Sequence, residues 1–314
     1  MKVLVTGALG QIGSHVVELL LEQDIAVYGI DNLTTGRREH LNKNPLLNIS
    51  FESISNLVKM EEIFEEFKPD VVVHTAASYK DPDDWYNDTL TNCVGGSNVI
   101  QLSKKFNVKR FIYFQTALCY GLKPNEQPIT LDHPRNPEGS SYAITKTTNE
   151  LFLELSGLDY VTFRLANVVG PRNVAGPLPI FFNRIKNNQQ CFVTKARRDF
   201  VYVMDLAKCV IKAIHGKGHG AYHFSSGKDV AILELYDEVV KSMRLNEYPQ
   251  PEIKDLSEDD VESILLDPKR TFKDFGDIEF TPIETTVQKA IDYFEEFGTL
   301  GEYTHLRIDS EKNK

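Results

Sequence analysis

The 314-residue chain contains no apolar run approaching the about eighteen residues that a membrane-spanning helix requires. It also lacks an excess of positive charge: 45 acidic side chains face 35 basic ones, for a net charge of −10. That balance argues against nucleic acid or an anionic membrane surface as the main partner, so any anionic substrate must be met by local basic groups. Its four cysteines, Cys93, Cys119, Cys191 and Cys209, are scattered without C-x-x-C spacing, as expected of reduced packing thiols in a cytoplasmic protein. His215, His219 and His223 recur every four residues, but Gly216, Gly218 and Gly220 break any helix that would align them, so no metal site is expected. A first strand beginning at Lys2 leaves no room for a cleavable signal. There is no internal repeat or low-complexity tract.

What is present is organised around the first thirty-one residues. Lys2 to Thr6 is a short β-branched run closed by Gly7, which predicts a buried parallel strand. Gly7, Gly10 and Gly13 follow at three-residue spacing, and Ile12, Val16, Val17, Leu19, Leu20 and Leu21 then recur with helical period. The glycines permit a tight turn and close backbone approach to a phosphate, and the helix start offers unpaired N–H groups to an anion. A second apolar run, Ile25 to Ile30, ends in Asp31, eighteen residues after Gly13. A carboxylate there accepts from both ribose hydroxyls of an adenosine and repels a 2′-phosphate, so NAD is expected over NADP.

Ile49 to Phe51, Val71 to His74, Lys109 to Gln115 and Tyr160 to Leu165 read as further strands. Glu61 to Phe67, Asp88 to Phe106 and Ser141 to Leu155 read as helices between them. This alternation predicts an α/β fold, a doubly wound parallel (Rossmann) sheet of about seven strands with ligands at the carboxyl ends of its strands. After Gly170-Pro171 the alternation stops, although Tyr222 to Ser226 reads as a seventh strand returning to the sheet and Thr286 to Phe297 as a terminal helix. Residues 1–170 plus about 200–228 are therefore expected to form the dinucleotide unit, and 171–199 plus about 229–314 a smaller α/β substrate unit.

Tyr142 and Lys146 lie at i, i+4, one face of a helix. A lysine charge beside a phenol favours the phenolate, which would make Tyr142 a general base near neutral pH. Among 13 tyrosines such a pair arises about once by chance, so its meaning comes from its place after the fifth strand of a dinucleotide fold.

The glycine turn, Asp31, Gln115-Thr116-Ala117-Leu118-Cys119-Tyr120-Gly121, Tyr142, Lys146, Arg164 to Arg172 and Arg198 to Val203 together resemble the NAD-dependent epimerase/dehydratase family, part of the extended short-chain dehydrogenase/reductases. The resemblance implies Thr116, Tyr142 and Lys146 as catalytic residues, with Asn167 and Arg198 holding the diphosphate of a nucleotide sugar. It implies cofactor contacts at Gly7, Gly10, Gln11, Ile12, Gly13, Asp31, Asn32, Ala76, Ala77, Tyr142 and Lys146, and places Asn92 as a structural asparagine near the active site. An arginine fork suits phosphate oxygens, although a surface ion pair is the alternative for Arg198. Arg37 and Arg38 read as solvated surface charge at least as readily as cofactor contacts.

The chain departs from the family pattern in places. Glu52 and Ser53 stand where a Gly-Asp pair usually holds the adenine, and Thr194-Lys195-Ala196-Arg197 replaces a G-D-G turn. Ser257-Glu258-Asp259-Asp260 stands where a second diphosphate arginine is common, with Arg270 nearby, so neither the adenine contact nor that second contact is assigned. Ala117 and Leu118 replace the Asp-Glu pair of the 4,6-dehydratases and the glutamate of the uronate decarboxylases.

The expected activity is therefore C4 epimerisation of a nucleotide sugar, most simply a UDP sugar, through a 4-keto intermediate. The wording of the Thr116 stretch is similar to 4-epimerases of bacterial surface-polysaccharide clusters, where acetamido sugars and uronic acids are candidate substrates. A dehydratase, decarboxylase or 4-dehydrogenase of the same family, and an NAD-sensing regulatory protein, are the alternatives. A homodimer through the helices Asp88 to Phe106 and Ser141 to Leu155 is expected.

Overall fold

The computed structural model describes residues 1–79, 81–256 and 261–300. In chain order, β1 (Lys2–Thr6), α1 (Gln11–Leu21), β2 (Ala26–Ile30), β3 (Leu47–Ser50), α2 (Leu57–Phe67) and β4 (Val71–His74) form the first half. A helical run follows as α3 (Trp85–Asp88), a π turn (Thr89–Gly95) and α4 (Gly96–Lys105); then come β5 (Arg110–Thr116), α5 (Ser141–Ser156) and β6 (Tyr160–Leu165). Beyond them lie β7 (Asn167–Val169), α6 (Pro177–Lys186), β8 (Phe192–Thr194), β9 (Arg197–Arg198), β10 (Phe200–Tyr202), α7 (Val203–Ile214) and β11 (Gly220–Phe224). The chain continues through β12 (Val230–Ala231), α8 (Ile232–Ser242), β13 (Glu252–Lys254), β14 (Ser263–Ile264), α9 (Lys269–Phe275) and α10 (Ile283–Phe297).

Seven strands pair in parallel in the order β11-β6-β5-β4-β1-β2-β3. The order reverses between β1 and β4, which puts the crevice for a ligand above the glycine turn that leaves β1. Both faces are covered, as parallel strands require. Val16, Val17 and Leu20 of α1 pack with Leu206 and Val210 of α7 on one face; Met60, Ile63 and Phe64 of α2 pack with Val99, Ile100 and Leu102 of α4 on the other. Each such side chain contributes roughly 1.5–3 kcal/mol when fully buried. A separate apolar cluster joins Phe181 and Phe182 of α6, Leu235 and Tyr236 of α8, and Ile291 and Phe294 of α10.

The sequence reading differs from the structure in two places that matter for the site. The helix expected from Asp88 starts earlier, at Trp85, and is wound as a π turn over Thr89–Gly95. This widened turn carries Asn92, whose side chain donates to Ser78 O (3.0 Å) and Thr145 Oγ1 (3.0 Å) and accepts from Ser78 N (2.8 Å), tying the end of β4 to α5. The seventh strand ends at Phe224, because Ser225 and Ser226 bend to the Asp199 carboxylate instead, Ser225 Oγ at 2.6 Å and Ser226 N at 2.8 Å.

His40, His74 and His223 are among the histidines buried within this framework. Burial is the first cause in each: it holds His74 at about 3, and His40 and His223 at about 4, against an ordinary 6.5. The unfolded chain takes up these protons near pH 6.5 and the folded chain does not, so between those limits the unfolded state binds more protons. Stability present above pH 6.5 is therefore lost as the pH falls towards 4, at about 1.4 kcal/mol per unit for each histidine. Urea midpoints measured from pH 7.5 down to 4.5 will fall accordingly, and His223→Gln will flatten that fall by its share.

Candidate active site

The turn after β1 is built by absent side chains. Gly7 has φ +67°, and a Cβ on it would lie 2.7 Å from Ala76 N; a Cβ on Gly13 would lie 2.1 Å from Gly7 O. Helix α1 therefore leaves directly from the sheet edge, and its N-cap, Gly10, has no side-chain cap and no acidic residue in the first turn. The first N–H groups remain available to an anion. Asp31, 6% exposed, accepts from Leu9 N (2.9 Å) on one oxygen and Leu33 N (2.8 Å) on the other, leaving each oxygen a further lone pair. Burial raises its pKa and those two N–H groups oppose the rise. Gly36 packs on this carboxylate, where a Cβ would come within 2.7 Å of Oδ1.

On the other side of the crevice, Ala76 and Ala77 follow β4; Ala76 N donates to Thr6 Oγ1 (3.3 Å) and Thr75 Oγ1 to Thr6 O (2.7 Å). Thr116 ends β5. Its N–H donates to Gln115 Oε1 (2.8 Å), and its hydroxyl oxygen accepts from Leu118 N (3.2 Å), leaving the hydroxyl hydrogen free to donate. Tyr142 and Lys146 sit near the start of α5, which Ser140 caps. Tyr142 meets Tyr79 edge to face, with centroids 6.1 Å apart, and the Lys146 ammonium lies 4.3 Å from the Tyr113 ring centroid.

The ionisation of this pair departs from the sequence expectation. Burial pushes the Tyr142 phenol well above its usual value, with Tyr79 and Asp88 adding to the rise, and burial brings Lys146 down to about 7 against the opposing Glu150 charge. Spacing along a helix reports that two groups are neighbours; it does not report that both are shielded from water, and here the shielding dominates.

A single cleft of about 550 Å³ joins these parts. Gly7, Gly10, Gln11, Ile12, Asp31, Asn32, Ala76 and Ala77 line one end, and Thr116, Tyr142 and Lys146 its middle. Asn167 and Arg198 line the other end, and Gly13, whose part is to let α1 pack, is outside the lining. Asn167 Nδ2 donates to Asp199 O (3.2 Å), and Arg198 Nη1 to Arg197 O (2.8 Å). Arg198 Nη1 also donates to Glu262 O (3.3 Å), and its neighbour Arg197 pairs with Asp229 at 2.9 Å outside the cleft lining. These residues fit a dinucleotide: a glycine cradle closed to any Cβ, a bare helix start and a buried carboxylate with spare lone pairs.

A protein-family model described as "NAD dependent epimerase/dehydratase family" matches residues 3–224. The chain belongs to that family. Among solved structures it is similar to the Bordetella bronchiseptica enzyme WbmH in complex with NAD+, at 65% identity and TM-score 0.93, covering 95% of this chain and 99% of that one. It is also similar to a UDP-glucose 4-epimerase with UDP-glucose from Thermotoga maritima, at 29% identity and TM-score 0.87, covering 94% and 99%. A curated relative, a putative UDP-glucose 4-epimerase of Methanocaldococcus jannaschii, is 31% identical over 252 residues, 75% of this chain and 80% of its own.

Several parts of this family member's site were not singled out by sequence reasoning. Ser78, Tyr79, Asp84, Asn87 and Thr91 line the cleft from the segment after β4, where nothing in the local pattern marks them. Behind the strand end, buried Glu150 accepts from Gln115 Nε2 (3.1 Å), Arg164 Nε (3.1 Å) and Arg135 Nη1 (3.2 Å), while Arg164 Nη1 donates to Tyr120 Oη (2.7 Å). Glu150 lies four residues after Lys146 on the same helical face, so extending the Tyr142–Lys146 spacing by one turn would have found it.

The unassigned groups have settled places. Glu52 and Ser53 line the cleft at the Asp31 end. Arg37 donates to Phe297 O (2.8 Å), Arg38 stacks 3.8 Å from the Phe51 ring centroid, and Arg270 is spent on Ala221 O and His219 O (3.0 and 2.8 Å). Ser257 to Asp260 lie outside the described residues. His215, His219 and His223 go separately to Gln23 (2.9 Å), Asp159 (2.9 Å) and Tyr120 (2.6 Å), and burial raises the Cys119 thiol far above its usual value.

Proposed function

We propose that this chain is an NAD-dependent C4-epimerase of nucleotide sugars, most simply UDP sugars. The observation that carries the reading is the single cleft, in which the glycine cradle and Asp31, the Thr116–Tyr142–Lys146 group, and Asn167 with Arg198 follow one another. The similarity to a UDP-glucose 4-epimerase holding UDP-glucose supports the sugar nucleotide, and that to WbmH with NAD+ supports the dinucleotide.

Bound NAD would supply a hydride acceptor and then donor at sugar C4, ending each cycle as it began, and its oxidised ring would bring positive charge near Tyr142. Tyr142 takes the O4 proton, which its raised pKa opposes until positive charge favours the phenolate. Thr116 holds O4 through its free hydroxyl hydrogen, and Lys146 holds the nicotinamide ribose and favours the phenolate when protonated. Asn167 and Arg198 hold the diphosphate while the 4-keto sugar turns its other face to the cofactor. Ala117 and Leu118, both lining the cleft, supply neither acid nor base, which favours epimerisation over water loss or decarboxylation.

Proton NMR of the purified protein with NAD and UDP-glucose, UDP-N-acetylglucosamine or UDP-glucuronate tests this. Growth of the corresponding galacto anomeric signal establishes the activity and names the sugar; a 4-keto-6-deoxy or decarboxylated product overturns it.

In the same reading, residues 1–170 with about 200–228 bind the cofactor, and 171–199 with about 229–314 the nucleotide sugar, supported by the seven-stranded sheet and the separate α6/α8/α10 cluster. Among the described residues no helix is long and apolar enough to cross a membrane, which suits the cytoplasmic location proposed. The pairing surface proposed for a homodimer is the helical run over Asp88 to Phe106 together with α5, whose Ile144, Leu151, Phe152 and Leu155 stand 43–83% exposed as an apolar stripe. Leu155→Asp is expected to halve the mass seen by analytical ultracentrifugation, and an unchanged mass would place any interface elsewhere.

A further inference from the structure

Gln115 precedes Thr116 on β5, is buried, and uses both ends of its side-chain amide. The oxygen accepts from Thr116 N at 2.8 Å, while Nε2 donates to Glu150 Oε2 at 3.1 Å and reaches Thr147 Oγ1 at 3.4 Å, both on α5. Only one orientation of the amide serves, because a carboxylate accepts and an N–H donates. Turned over, it would set its oxygen against the Glu150 carboxylate and its NH2 against the Thr116 N–H, and both bonds would be lost. Glu150, itself held by Arg164 and Arg135, therefore fixes which way Gln115 points.

Thr116 stands where the regular strand stops. Ala117 to Tyr120 coil into a tight helical turn that Thr116 caps, its Oγ1 accepting from Leu118 N at 3.2 Å. A hydroxyl at a strand end has no ladder beyond it to fix its direction. Here two bonds do so: Gln115 grips the backbone of Thr116, and Leu118 N grips its side chain. Glu150 and Thr147 also share α5 with Tyr142 and Lys146, so the amide that sets Thr116 ties it to the helix carrying the base.

We propose that Gln115 is a positioning residue of the epimerase reaction: oriented by Glu150, its amide fixes the backbone of Thr116 so that the threonine hydroxyl meets the sugar O4 beside Tyr142. The inference rests on the epimerase reading above and adds to it a residue that acts through another. Thr116 comes from the sheet and Tyr142 from a helix, and both must reach one oxygen. A misplacement of about 1 Å between such groups costs on the order of 100-fold in rate.

Gln115→Met keeps the length of the side chain and removes both bonds. It is expected to lower kcat about 10- to 100-fold, with KM and the Kd for NAD changed by less than about threefold. The deciding measurement is the same substitution made in Thr116→Val, which has no hydroxyl left to place. There it is expected to lower the residual kcat by less than about twofold more, because the two changes remove one and the same contribution. Gln115→Asn, too short to span Thr116 N and Glu150, is expected to act in the same direction and serves if Gln115→Met does not fold. Equal falls in the two backgrounds overturn the positioning role, as does a fall confined to KM or to NAD affinity. Unchanged kcat in Gln115→Met, with turnover lost in Tyr142→Phe, overturns this inference and leaves the epimerase reading standing. A wild-type protein that binds NAD and epimerises none of the nucleotide sugars overturns that reading and this inference with it.

Discussion

Tyr142→Phe will lower turnover of the nucleotide sugar by about 10²–10⁴-fold, the usual contribution of a positioned general base, while NAD binding is retained. The substitution removes one oxygen and keeps the ring that meets Tyr79 edge to face. Thr116 cannot replace it, because an alcohol is a far weaker proton acceptor at neutral pH than a phenol beside positive charge. Since burial raises the Tyr142 pKa, wild-type kcat should rise with pH as the phenol ionises in the loaded enzyme. That limb should vanish from the residual activity of the phenylalanine variant. Steady-state rates over pH 6–10 with saturating substrate check both points. Retention of more than a tenth of the activity with the same pH profile would remove Tyr142 from the role of base.

What the sequence made legible is what is local. β1, β4 and β6 fall where their β-branched runs place them, because a buried parallel strand has no other way of being written. The glycine turn and Asp31 were legible because strand, turn, helix and acid lie within one βαβ unit. The π turn was not: its residues alternate apolar and polar much as an α-helix does, and only the reach of Asn92 to Ser78 and Thr145 explains the extra residue. Glu150 was within reach of the Tyr142–Lys146 spacing, but its partners Gln115 and Arg164 stayed hidden because they lie 35 and 14 residues from it, and a polar or charged side chain in isolation reads as surface. The Gln11–Asn173 contact, 162 residues apart, lies further still beyond any spacing rule. The same limit explains the ionisation of Tyr142 and Lys146, which depends on everything packed around them rather than on their separation.

That hidden network carries the other large effect. Glu150 is fully buried, and Arg164 beside it is 5% exposed. Glu150→Ala leaves Arg164 without its carboxylate and Gln115 Nε2 with a 3.4 Å contact to Thr147 as its remaining bond. Breaking a buried pair in this way costs about 3–5 kcal/mol, most of it from the uncompensated arginine charge. Urea denaturation of wild type, Glu150→Ala, Arg164→Leu and the double variant Glu150→Leu/Arg164→Leu separates the cost of the orphaned charge from the worth of the pair. Each single variant is expected to fall by several times the loss in the double, since replacing both partners with apolar groups removes the stranded charge. Arg135, 23% exposed in its side chain, already pairs with Glu154 at 2.7 Å and should not change that order. Glu150→Gln adds a functional reading. Because the Glu150 charge raises the Lys146 pKa, neutralising it will favour the uncharged amine near pH 7. Loss of protonated Lys146, which opposes the rise with pH that Tyr142 ionisation brings, will then set in at lower pH and flatten that rise. A profile unmoved by Glu150→Gln, with stability reduced, would confine Glu150 to holding the fold and leave Lys146 governed by burial alone.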